Sequence, residues 1–130
     1  MPLGMAKPIE WAGIIVHHTD STHMTLSECN QWHRERGWDE CGYNFIISPE
    51  GNIITARGFD RKGAHTKGFN SRFLGIAFVG TGKANQNQLD AFYSFLGQLE
   101  PYYAKNVSGH SFFGSTECPG EIMNQIRGME

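Results

Sequence analysis

The sequence contains no apolar run long enough to cross a bilayer, and its first 11 residues lack the apolar stretch of a secretory signal peptide. It also contains no internal repeat and no low-complexity segment. These absences argue against a membrane-spanning protein, a repeat protein and a disordered chain. A chain of 130 residues is expected to fold as a single domain over residues 1–130. We expect the protein to be in the cytoplasm after its synthesis. Residues 1–10 are expected to be flexible or added during cloning, so no prediction rests on them.

Cysteine is scarce. Cys29, Cys41 and Cys118 leave one cysteine over from any single disulfide, and no C-x-x-C motif is present. A reducing compartment is the simpler assumption for such a chain. Cys29 falls on the apolar side of a predicted helix and is expected to be a small core residue.

Charge of either sign is not in large excess, since 11 basic residues face 13 acidic ones for a net charge of −2. The basic residues are unevenly placed, because six of them lie between residues 57 and 83 beside a single acid, Asp60. Such a local bias attracts an anionic partner, although a solvated basic loop has the same composition. Because the domain is slightly acidic overall and few aromatic residues interleave with the basic ones, nucleic acid is not expected as a partner.

Hydrophobic patterning predicts alternating strands and helices. Thr25 with Glu28 three residues later, and Asn85 before an apolar helical face, are typical of helix N-termini. Residues 58–73 form a long loop of the kind that is usually functional. The sequence therefore predicts an α/β domain whose central mixed sheet of about five strands is flanked by about three helices. The predicted strands cover residues 12–17, 43–48, 53–56, 74–79 and 107–109, and the predicted helices cover residues 25–36, 86–103 and 119–127.

Histidines follow two of the predicted strands. The first strand ends in His17 and His18, the last leads into His110, and Cys118 follows eight residues later. Because strand ends can meet at one rim of a sheet, a short loop could bring His17, His110 and Cys118 together. Two imidazoles and a thiolate form a tetrahedral zinc site with one position open to water. A chance arrangement of core histidines and a buried cysteine has the same spacing, so the residues alone leave both interpretations open.

Four segments, taken together and in this order, carry a more specific resemblance. They are similar to the zinc-dependent N-acetylmuramoyl-L-alanine amidases, the group shared by amidase-type phage lysozymes and peptidoglycan recognition proteins. The similarity extends over residues 14–120, nearly the whole chain. The segments are residues 14–21 (IIVHHTDS), 31–47 (QWHRERGWDECGYNFII), 63–80 (GAHTKGFNSRFLGIAFVG) and 109–120 (GHSFFGSTECPG).

The resemblance implies one Zn²⁺ per chain, held by His17, His110 and Cys118. It places the family's catalytic tyrosine at Tyr43. Phage lysozymes of this type can carry a lysine two residues before the cysteine ligand, and Thr116 stands there instead. This is the residue of many catalytic recognition proteins, and its neutral hydroxyl would assist Tyr43 and the metal in stabilising charge.

The resemblance also implies a groove for glycan and stem peptide. For two of its residues a structural role is an open alternative, since His33 could simply pack along its helix and Asn70 could hold the long loop. The Gly37-Trp38 pair and Arg57 match positions that accompany binding of diaminopimelate in recognition proteins, which favours diaminopimelate-type peptidoglycan. The implied groove residues are His18, His33, Trp38, Arg57, His65 and Asn70.

The expected function is therefore hydrolysis of the amide between N-acetylmuramic acid and L-alanine. We expect a monomeric, bacteriolytic phage endolysin that waits in the host cytoplasm and needs no membrane partner. The alternative is a peptidoglycan-binding or regulatory protein without useful turnover, since some phage lysozymes of this type also inhibit their phage's RNA polymerase. Cys118 favours the enzyme, because purely binding members of the family typically lack that ligand. A small zinc deaminase is disfavoured because its H-x-E and P-C-x-x-C elements are missing.

Overall fold

A computed structural model of the chain describes residues 10–99 and 101–128, so the expectation for residues 1–10 lies outside the described residues except at the exposed Glu10. Within the described part, the chain forms five strands, four α-helices and one 3₁₀ turn, and the predicted α/β class with a five-stranded mixed sheet is confirmed. The elements are β1 (Gly13–His18), α1 (Leu26–Glu35), β2 (Phe45–Ile47), β3 (Ile53–Thr55), β4 (Phe73–Phe78), α2 (Gln86–Gly97), α3 (Pro101–Lys105), β5 (Val107–Gly109), the 3₁₀ turn His110–Phe112 and α4 (Ile122–Gly128).

The sheet has the strand order β3-β2-β4-β1-β5. Strand β3 is antiparallel to β2, and the other neighbouring pairs are parallel. All six residues of β1 pair with β4, and three of them also pair with β5 on the other side. The side chains of Ile14, Ile15 and Val16 are fully buried as a result, which makes β1 a rigid support for the residues that follow them.

Alternation along β1 divides its side chains between the two faces of the sheet. Ile14 and Val16 belong to the larger apolar core, which includes residues of α2 and α4. A smaller core containing Cys29 of α1 and Ile46 of β2 covers the opposite face. Because His17 follows Val16, its side chain lies on the α1 side of the sheet.

Local signals predicted the starts of both long helices. Thr25 and Glu28 form a complete capping box at α1, and Asn85 and Gln88 form another at α2. The prediction of one helix over residues 86–103 is wrong, because α2 ends at Gly97 and a separate α3 begins at Pro101. Proline has no N–H to donate and its ring clashes with the preceding turn, so it begins a new helix more easily than it continues an old one.

A disulfide joins Cys29 of α1 to Cys41 in the loop before β2. Cys29 is buried in the smaller core as predicted, but the simpler assumption that these cysteines are reduced is wrong for this pair. The loop carrying Cys41 has no regular pattern, so only the folded chain shows that it approaches α1. In the part of the chain that is described, no helix is long and apolar enough to cross a membrane.

Candidate active site

His17, His110 and Cys118 meet on the α1 side of the sheet, where one ligand atom from each lies within 4.8 Å of the others. His110 opens the 3₁₀ turn after β5, and Cys118 precedes α4. Strand β1 extends one residue beyond its predicted end, to His18, and His17 still pairs with Ala77. The side chain of His17 therefore projects from the face of the sheet, and it is 2% exposed.

The sulfur of Cys118 is held close to β1. Its Sγ lies 3.7 Å from Nδ1 of His17 and accepts a 3.3 Å hydrogen bond from the backbone N–H of His18. Burial raises the pKa of the Cys118 thiol to about 11, and the bond from His18 offsets only part of this rise. A cation at this point would supply the charge that stabilises the thiolate. The hydroxyl of Thr116 accepts the backbone N–H of Cys118 at 3.2 Å and so supports the loop.

The imidazoles at this centre are neutral at pH 7. Burial lowers the pKa of His17 well below its usual value, with smaller effects from the neighbouring His65, His110 and His18. Burial also lowers the pKa of His110, and that of His65 falls to about 4 for the same reason. Neutral imidazole is the form that binds metal ions.

The donor set fits Zn²⁺. Typical zinc bonds of about 2.3 Å to sulfur and 2.0–2.1 Å to nitrogen place tetrahedral S and N ligands about 3.6 Å apart. The 3.7 Å separation between Cys118 Sγ and His17 Nδ1 is close to this spacing. Three protein ligands leave a fourth position for water or substrate, as catalytic zinc sites require.

Tyr43 lies beside these residues in the loop before β2. Its ring centre is 5.3 Å from that of His17 and 5.4 Å from that of His33. Burial raises the pKa of the Tyr43 phenol above its ordinary value, and the negative charge of a Cys118 thiolate would raise it further. The phenol therefore stays protonated and can donate a hydrogen bond into the cavity.

A cavity of about 290 Å³ surrounds the centre, and a second of about 430 Å³ adjoins it. They share four lining residues, Trp38, Ala64, His65 and His110, and we call the two together the groove. The groove brings together every predicted site residue except Arg57. Those lining the first cavity are His17, His18, His33, Trp38, Tyr43, His65, His110, Thr116 and Cys118, and Asn70 lines the second.

Arg57 lines neither cavity of the groove. Its Nε donates to the carbonyl of Cys41 at 2.9 Å, and its Nη1 donates to the carbonyl of Lys62 at 2.8 Å. These bonds join the loop before Tyr43 to the long loop after β3. The guanidinium of Arg57 therefore holds these two loops together.

His33 and Asn70 line the groove and also have structural partners. Nδ1 of His33 accepts the backbone N–H of Gly42 at 2.6 Å, which ties α1 to the loop before Tyr43. Oδ1 of Asn70 accepts the backbone N–H groups of His65 and Thr66, each at 2.7 Å. The structural alternatives for both residues are therefore present in the fold, beside the roles that the resemblance implies.

Asp20 and Arg36 also line the first cavity, although sequence reasoning singled out neither. Asp20 follows β1 with φ of 59°, a left-handed conformation that aspartate tolerates better than most residues. Arg36 is the C-cap of α1, and none of the described residues hydrogen-bonds or ion-pairs with its guanidinium. Their positions in the sequence could have identified both residues as candidates, because Asp20 and Arg36 each lie inside one of the four segments that carry the resemblance.

Comparisons with known proteins agree on one family. A profile described as N-acetylmuramoyl-L-alanine amidase matches residues 6–121. The endolysin of Klebsiella phage KP32 is 34% identical, over 78% of this chain and 76% of the endolysin. The N-acetylmuramoyl-L-alanine amidase LysC from Clostridium intestinale is similar with a TM-score of 0.85 and 28% identity, covering 93% of this chain and 85% of LysC. Peptidoglycan recognition protein-LE, in complex with the diaminopimelic acid-type monomer tracheal cytotoxin, is similar with a TM-score of 0.80 and 26% identity, covering 98% of this chain and 86% of that protein.

Proposed function

The chain belongs to the N-acetylmuramoyl-L-alanine amidase family, and from this premise we propose that it is a zinc-dependent peptidoglycan amidase. It hydrolyses the amide that joins the lactyl group of N-acetylmuramic acid to L-alanine of the stem peptide. The observation that carries this proposal is the meeting of His17, His110 and Cys118 in a cavity that also contains Tyr43. A protein that only binds peptidoglycan does not need a catalytic ligand set beside a protonated phenol.

The chemistry divides between the ion and the chain. When bound, zinc acts as a Lewis acid and lowers the pKa of a coordinated water to about 7. His17, His110 and Cys118 hold the ion, and Tyr43 donates a hydrogen bond to the substrate carbonyl oxygen as negative charge develops on it. Such a donor is typically worth about 10²–10³ in turnover. Thr116 keeps the Cys118 loop in place through its bond to the Cys118 N–H.

We propose that the enzyme acts as a phage endolysin, waiting as a monomer in the host cytoplasm until the membrane is breached. Its similarity to the endolysin of Klebsiella phage KP32 supports this source. The alternative of a binding or regulatory protein predicts a different metal content. About one zinc per chain after purification in zinc-containing medium supports the enzyme, and a chain without zinc supports the binder.

The decisive experiment is mass spectrometry of the products from purified diaminopimelate-type peptidoglycan, with and without a chelator. We expect intact stem peptides with a free L-alanine amine, and we expect them to disappear on chelation and return with added zinc. Full hydrolysis by Cys118→Ala in metal-free buffer would contradict the proposal. His17→Ala should lose zinc, whereas His18→Ala should keep zinc and mainly weaken substrate binding.

We further propose a preference for stem peptides with the extra carboxylate of diaminopimelate. The complex of peptidoglycan recognition protein-LE supports this preference, as does the match at Gly37, Trp38 and Arg57. Arg36 lines the first cavity, whereas Arg57 is hydrogen-bonded to two loop carbonyls and lines neither cavity, so their roles need to be separated.

The two arginines can be compared on paired substrates. The test measures kcat/KM on diaminopimelate-type and lysine-type muropeptides for Arg36→Gln and Arg57→Gln. Arg127→Gln on α4 is the matched control, since it removes the same charge from an exposed residue. Substitution of the arginine that binds the carboxylate should lower kcat/KM about ten-fold on the diaminopimelate-type muropeptide. The same substitution should leave kcat/KM on the lysine-type muropeptide unchanged. Equal cleavage of both muropeptides by the wild-type protein would refute the preference.

A further inference from the structure

We propose that His65 is a positioning residue, which orients His17 and directs its Nδ1 toward the metal centre. This inference rests on the proposed zinc amidase. It differs from the role that the resemblance implies, in which His65 contacts substrate in the groove.

The first bond joins His65 to β4. Nε2 of His65 lies 3.0 Å from the carbonyl oxygen of Phe73. A carbonyl can only accept, so Nε2 must carry the proton of the His65 ring. A neutral imidazole carries a single ring proton, and Nδ1 of His65 is therefore an acceptor.

The second bond joins His65 to His17. Nδ1 of His65 lies 2.9 Å from Nε2 of His17, and two lone pairs at this distance would repel one another. Nε2 of His17 is therefore the donor, which leaves Nδ1 of His17 with a free lone pair. That atom lies 3.7 Å from Sγ of Cys118, where the ligand atoms converge. One carbonyl thus determines, through two imidazoles, which nitrogen of His17 can bind metal.

The surroundings hold the His65 ring in this position. A Cβ at Gly75 would lie 2.4 Å from the His65 ring, and one at Gly63 would lie 2.3 Å from it, so both positions must lack a side chain. The hydroxyl of Thr66 lies 3.0 Å from Nδ1 of His65. The Asn70 side chain accepts the backbone N–H of His65 at 2.7 Å.

The same bonds limit what His65 can offer a substrate. The residue is 9% exposed, and both of its ring nitrogens already have partners in the protein. Only part of its ring remains available to the groove. The geometry therefore points to an effect exerted through His17.

The test compares two substitutions. His65→Phe keeps a ring but removes both nitrogens. His65→Asn keeps a hydrogen-bond acceptor, because its Oδ1 is attached to Cγ in the same way as Nδ1 of histidine. Zinc affinity is measured by competition with a chromogenic chelator, and KM is measured on a muropeptide with saturating zinc. We expect His65→Phe to bind zinc about 10- to 100-fold more weakly, as is typical when a partner of a ligating histidine is lost. His65→Asn should recover most of this affinity, and KM should change little in either variant.

Unchanged zinc affinity in His65→Phe together with a raised KM would overturn the proposal and restore the substrate-contact role. Should that variant fail to fold, NMR of the metal-free wild-type protein provides a second test. The ¹⁵N shifts of His17 should show the proton on Nε2, and a proton on Nδ1 would overturn the proposal. Zinc binding with this tautomer but no hydrolysis of peptidoglycan would refute the amidase function and leave the role of His65 intact.

Discussion

Gly75 offers a direct test of how tightly the His65 ring is held. It lies in the middle of β4, pairs with Ile15 of β1, and exchanges backbone and side-chain hydrogen bonds with Asn44. A Cβ built on Gly75 would lie 2.4 Å from both Cγ and Cδ2 of His65. These atoms belong to a ring that is hydrogen-bonded at both nitrogens, so the ring cannot simply rotate away.

Gly75→Ala should therefore destabilise the metal-free protein. Overpacking of a well-packed interior costs about 1–3 kcal/mol. Without the clash, the change from glycine to alanine would stabilise the folded state by about 0.5–1 kcal/mol, because glycine loses more conformational freedom on folding. The net loss of about 1–2 kcal/mol corresponds to a fall in melting temperature of roughly 3–10 °C for a domain of this size. Because the displaced ring is the partner of His17, zinc affinity should fall as well.

The assay is urea unfolding of the metal-free protein, followed by chelator competition for zinc. Gly97→Ala is the matched control, because a Cβ there meets nothing within 4 Å. At this last residue of α2 the same substitution should leave stability unchanged or raise it by up to about 1 kcal/mol. A Gly75→Ala protein as stable as wild type, with unchanged zinc affinity, would show that the ring moves freely and would refute the reasoning.

Three further outcomes are expected. Reducing the disulfide between Cys29 and Cys41, which are 12 residues apart, should lower the free energy of unfolding by about 3 kcal/mol, and an unchanged urea midpoint would contradict this. Burial lowers the pKa of His33 and His65 from 6.5 to about 4, so the unfolded chain binds more protons between these values. Metal-free stability should be nearly constant between about pH 7 and pH 8 and fall on acidification toward pH 4, by at most about 3 kcal/mol for His65, with urea midpoints at several pH values as the check. Tyr43→Phe should retain zinc but lose about 10²–10³ in kcat, and loss of zinc instead would assign Tyr43 to the metal centre.

Features that depend on neighbouring residues were predictable from the sequence. Thr25 caps α1 because its hydroxyl and Glu28 reach backbone groups only three residues away. The β-branched run before His17 forms a buried strand because consecutive apolar, β-branched residues favour a strand that is covered on both faces. The predicted end of α2 failed because the apolar spacing continued past Gly97, while Pro101 made one continuous helix unfavourable.

The candidate site was only partly predictable. The resemblance singled out His17, His110 and Cys118, and the fold brings them together. The same reasoning placed Arg57 in the groove, but its guanidinium is hydrogen-bonded to backbone carbonyls 16 and 5 residues away in the sequence, and Arg57 lines neither cavity. No local pattern contains such partners, because they become neighbours only when the loops pack.

The sequence by itself determined the α/β class, the helix caps and the residue types that suit zinc chemistry, since these depend on composition, short-range spacing and resemblance. Tertiary structure alone decided which face of the sheet carries His17, that Cys41 meets Cys29, and that the Phe73 carbonyl acts through His65 on His17. The physical reason is distance along the chain. His17 and His65 are 48 residues apart, and their hydrogen bond exists only because the loop that carries His65 packs against Gly75 of β4, which pairs with β1.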